Sequence, residues 1–113
     1  MEDLKNIIYL FGYSINSYKP FIKLINIIYQ QKKLGAEITF VFMHDGVIGL
    51  TKKPEVNPQL STLLDLPISF YILLPDLKAR GINPNDIVDK ISKIEYEELV
   101  DLLVSNSRII SWL

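Results

Sequence analysis

The sequence predicts an α/β fold: a three-layer α/β/α sandwich around a mainly parallel five-stranded sheet. Three observations lead there. Short, almost continuous apolar runs recur along the chain, the pattern of strands buried on both faces of a parallel sheet. Helical periodicity or a proline-started turn follows each run but the last, so the order reads β, α, β, α, β, α, β, α, β. Finally, 113 residues with 49% hydrophobic content suit one core, and residues 1–113 are read as a single domain.

Lys5 to Phe11 is the first strand, ending at Gly12, with a turn over Gly12-Tyr13-Ser14-Ile15-Asn16. Ser17 is placed to cap a helix with Pro20 in its first turn, where a missing N–H costs little. Tyr18, Phe21, Ile22, Ile25, Ile28 and Tyr29 repeat at helical spacing, and Leu24 and Ile27 widen the stripe. So broad a face fits burial within the domain, with apolar surface left for a second neighbour as the other reading. Gly35 ends this helix behind Lys32 and Lys33, which suit the negative end of its dipole.

Glu37 to Met43 is β-branched and aromatic, a second strand, and it runs into His44-Asp45-Gly46-Val47. Loops after the carboxyl ends of parallel strands are where ligands bind, so this loop is a site by position. Thr51 to Pro58 reads as a loop, Pro58 to Leu64 as a short helix, and Ile68 to Leu74 as a third strand. Pro75 to Gly81 has proline at its start, basic residues near its finish and glycine beyond, the asymmetry of one short helix. Asn83-Pro84-Asn85-Asp86 starts another helix, reaching Lys90, and Ile91 to Ile94 is a fourth strand. Glu97, Glu98 and Asp101 face outward from a last helix whose apolar stripe is Leu99, Val100, Leu103 and Val104. Asn106 closes it, and Arg108 to Trp112 is the fifth strand.

Charge and composition exclude several function classes. Twelve Lys plus Arg against thirteen Asp plus Glu give a net charge of -1, without the basic excess that attracts phosphate backbones, so nucleic acid is not a direct partner. Met1-Glu2-Asp3 predicts no secretory signal, and the uncharged run from Leu24 to Gln31 is far short of the roughly 20 residues of a membrane helix. A cytoplasmic protein without membrane contact is expected. There is no cysteine, which removes disulfides, thiolate metal sites and any persulfide carried on this chain.

The candidate chemistry is sparse. His44 is the one histidine and adjoins Asp45; on an extended segment the two would point to opposite faces, against a triad-like pairing. A structural or interface histidine is the favoured reading. Asp45-Gly46 reads as turn chemistry, with Asp bonding nearby backbone and Gly accepting positive φ. Glu97 and Asp101, one turn apart, read as solvated acids. One histidine and no cysteine leave no metal set, and Gly12, Gly46 and Gly49 do not form a phosphate or dinucleotide loop, so no cofactor is expected. Trp112 is read as either core or interface.

Tyr71 with Leu74-Pro75-Asp76-Leu77-Lys78-Ala79-Arg80-Gly81, then Ile94-Glu95-Tyr96-Glu97-Glu98-Leu99-Val100-Asp101-Leu102, then Ile110-Ser111-Trp112-Leu113, in that order, resemble the DsrH/TusB family of the DsrE-like sulfur-relay superfamily. Asp45-Gly46-Val47 is similar to the family's acidic-glycine-valine turn. The resemblance implies a DsrE-like sandwich that assembles with DsrE/DsrF- or TusC/TusD-like relatives, with a TusA-like sulfur donor. Persulfide sulfur there passes between cysteines for tRNA thiolation or sulfur oxidation. Some DsrH members carry a cysteine early in the chain; without one, this chain is expected to be a non-enzymatic subunit beside cysteine-bearing partners, in a homo- or hetero-oligomer. Possible ligand or interface positions are His44, Asp45, Gly46, Asp76, Arg80 and Trp112. The alternative is a stand-alone module binding a small ligand at the loops after Phe11, Met43 and Leu74.

Overall fold

The structure, a computed structural model, describes residues 6–17, 19–52 and 57–113. Its elements are β1 (Asn6–Phe11), α1 (Phe21–Lys33), β2 (Glu37–Phe42), α2 (Pro58–Leu64), β3 (Ser69–Leu73), α3 (Leu74–Ala79), β4 (Ser92–Ile94), α4 (Tyr96–Ser105) and β5 (Arg108–Trp112), with 3-10 turns at His44–Val47 and Pro84–Asp86. The five strands form one sheet in the order β4-β3-β2-β1-β5, and every pairing is parallel. The predicted α/β sandwich is therefore the fold observed.

Handedness sorts the layers. From β1 through β4 each step moves one place in the same direction, so right-handed crossovers put α1, α2 and the β3–β4 connection on one face. The step from β4 to β5 runs back across the sheet, which sends α4 to the other face. Strand alternation matches this division. Ile7, Tyr9, Phe11, Ile38, Phe40, Phe42, Phe70 and Ile72 pack with Phe21, Leu24, Ile25, Ile28, Leu60 and Leu63 in the main core. Ile8, Leu10, Val41, Leu73 and Ile94 form a smaller core with Leu99, flanked by Leu102 and Leu103. The aromatic rings stand in contact across neighbouring strands, with Phe40 and Phe42 at 4.8 Å and Phe11 and Phe40 at 5.7 Å between centroids.

Several local expectations are corrected. Ser17 does not cap α1: its N–H bonds the Ser14 carbonyl in a turn, and the helix starts at Phe21 with Pro20 in the cap position and no side-chain cap. Lys5, Tyr18 and residues 53–56, on which parts of the predicted first strand, first helix and Thr51–Pro58 loop fall, lie outside the described residues. On α1 the buried stripe is Phe21, Leu24, Ile25 and Ile28, whereas Ile22, Ile27 and Tyr29 are exposed. Asn83 to Lys90 forms only one 3-10 turn. Its backbone bonds elsewhere: Lys52 N–H to Asp86 O, Val88 N–H to Leu50 O, and a bridge between Thr51 and Ile87. That pairing places Ile87 and Ile91 in the main core, which a continuous helix would not do. On α4 the inward residues are Leu99, Leu102 and Leu103, while Val100 and Val104 are exposed at 55% and 81%.

Candidate functional site

The candidate site forms where β1, β2, β3 and β5 end. β2 stops at Phe42, and Met43 stays extended while its N–H bonds the Phe11 carbonyl at 2.9 Å. The chain then turns sharply. His44 takes φ +52°, the one non-glycine residue with positive φ among the described residues, a conformation that is uncommon outside glycine although His and Asn enter it more readily than most. Gly46 N–H returns to the Met43 carbonyl at 2.8 Å, and Ile48 N–H to the Asp45 carbonyl at 3.1 Å.

The turn is fixed by α3. β3 passes directly into α3, which points the carboxylate of Asp76, only 8% exposed, at the His44 N–H, with a 2.6 Å bond. Leu77, the next residue, is anchored in the main core. One turn on, Arg80 Nη1 donates to the Asp76 carbonyl at 3.3 Å, while its Nε and Nη2 donate to Asp45 Oδ1 at 3.3 and 3.0 Å. Five of the six predicted positions therefore form one closed circuit: Asp76 holds the strained His44 backbone, and Arg80 ties α3 to Asp45. Gly46 completes it by close approach, since a Cβ there would stand 2.3 Å from the Phe11 carbonyl oxygen.

Two readings of this loop change. The left-handed residue is His44 rather than Gly46, and the Asp45 carboxylate goes to Arg80 rather than to nearby backbone. His44 and Asp45 also lie on a 3-10 turn, not an extended segment.

Trp112, the sixth position, stands apart from the circuit. It pairs with Phe11 in the sheet register, is half-buried against the main core, and its carbonyl accepts the Gly12 N–H at 2.9 Å. The Tyr13 hydroxyl donates to the Leu113 carbonyl at 3.0 Å. Gly12 joins the two groups, because a Cβ on it would meet Leu113 Cδ2 at 2.7 Å and His44 Nδ1 at 3.6 Å. A separate open cleft of about 510 Å³ is lined by Ile15, Asn16, Lys19, Asn57, Pro58 and Gln59. Asn57 Nδ2 donates to Asn16 Oδ1 across it at 3.0 Å. Those residues come from the connection between β1 and α1 and from the capped first turn of α2, far apart in sequence; the one signal was that Asn16 follows the end of a strand.

Chemically the circuit ties down both of its carboxylates. One carboxylate is spent on a backbone N–H and the other on a guanidinium, which leaves the exposed His44 ring beside Gly12. Among the described residues no group of three His, Cys, Asp or Glu side chains is placed to hold a metal ion, and no helix is long and apolar enough to cross a membrane.

The family model described as DsrH like protein matches residues 14–109. The chain belongs to the DsrH family. The matched span takes in α1, the His44–Gly46 turn, Asp76 and Arg80, and ends before Trp112. The DsrH-family chain is 36% identical to protein TusB of Salmonella arizonae over 64 residues, 57% of this chain and 66% of that protein. Protein TusB of Salmonella newport matches to the same extent, so the aligned region spans just under two thirds of these relatives' length. Two solved structures share the fold. MTH1491 of Methanobacterium thermoautotrophicum, a protein of unknown function, has a TM-score of 0.74 at 16% identity, covering 95% of this chain and 98% of its own. The E. coli ychN protein has 0.67 at 15%, with the same coverage.

Proposed function

We propose that this DsrH-family chain is a cysteine-free subunit of a sulfur-relay assembly. It supports persulfide transfer by cysteine-bearing partners of the DsrE/DsrF or TusC/TusD type, fed by a TusA-like donor, for tRNA thiolation or sulfur oxidation. The observation that carries this reading is the family match over residues 14–109 in a chain that has no cysteine. A persulfide needs a thiol sulfur, so any sulfur that moves does so on another subunit. The locked circuit at the strand ends supports the same view: it fixes a surface instead of arming a nucleophile.

The test is to capture the tagged chain from its native cells and to trap persulfides on whatever accompanies it with an alkylating reagent, read by mass spectrometry. A co-purifying DsrE- or DsrF-like protein with a labelled cysteine is the expected result. Recovery of the chain alone sinks the proposal. The second reading, a small-ligand module, is favoured by the cleft beside Asn16 and Lys19. It requires a ligand whose thermal stabilisation is abolished by Lys19→Ala or Asp45→Ala; retention of the shift in both variants retires it.

A further inference from the structure

We draw no further inference here: the strongest candidate, the open cleft between the β1–α1 connection and the first turn of α2, carries nothing beyond the small-ligand reading already given, because its Lys19 is exposed, its Asn16 and Asn57 amides bond each other, and the one buried residue of its lining, Ile15, is apolar and selects no ligand class.

Discussion

At His44 the backbone sits in a conformation that strains most side chains, and the residues around it hold it there. Asp76 is the chief restraint, because its buried carboxylate accepts the His44 N–H at 2.6 Å. Asp76→Ala leaves that N–H without its acceptor and is expected to cost about 2 kcal/mol, read as a lower urea midpoint; Asp76→Asn keeps an acceptor and should lose less. Gly46→Ala should cost about 3 kcal/mol, because a Cβ 2.3 Å from the Phe11 carbonyl forces β1 and β2 apart. Arg80→Ala removes a partly exposed ion pair and should cost under about 1 kcal/mol, a loss that fades in high salt. The residue types at this site were legible in the sequence, since a polar turn after a strand is a site by position. Its connections were not: Asp76 lies 32 residues from His44 and Arg80 35 from Asp45, separations that local pattern does not encode.

The elements obey local rules wherever the backbone can satisfy itself. α4 begins with a capping box in which Glu95 and Glu98 exchange side-chain and backbone bonds; Glu98→Ala should lower stability by about 1 kcal/mol. β1 and α1 are joined by the Tyr9 hydroxyl donating to Gln31 Oε1 at 2.6 Å. Burial pushes the Tyr9 pKa up, opposed by the Gln31 bond and the charge of Arg108. Because the folded group holds its proton longer, the unfolded chain ionises first. This contribution is thus complete below the ordinary value of 10.0 and is lost as pH rises from there through the folded pKa. Urea unfolding across that range should show a weaker pH dependence for Tyr9→Phe than for the wild type. The rules fail where another segment competes. Asn83 to Lys90 has proline at a helix start, yet Leu50 to Lys52 takes its hydrogen bonds. In α4, Val100 and Val104 fit the apolar spacing as well as Leu102 does, and only the position of the sheet chooses between them.

For the whole molecule, a five-stranded sheet with α4 on its second face leaves the outer side of β5 without a partner strand among the described residues. If the sulfur-relay reading holds, omitting this chain from the reconstituted assembly should impair persulfide passage between the partners. Adding it back should restore that passage, and undiminished passage without it would contradict the reading. The sequence by itself determined the α/β class, the strand and helix order and the absence of any cysteine thiol in these 113 residues. Those follow from short-range periodicity and from composition, which need no knowledge of distant contacts. Only the tertiary structure decided that β5 lies beside β1, that α4 covers the opposite face, and that Asp76 and Arg80 lock the turn at His44. These depend on crossover handedness and on bonds between residues far apart in the chain, whose positions are fixed once the sheet has brought its strand ends together.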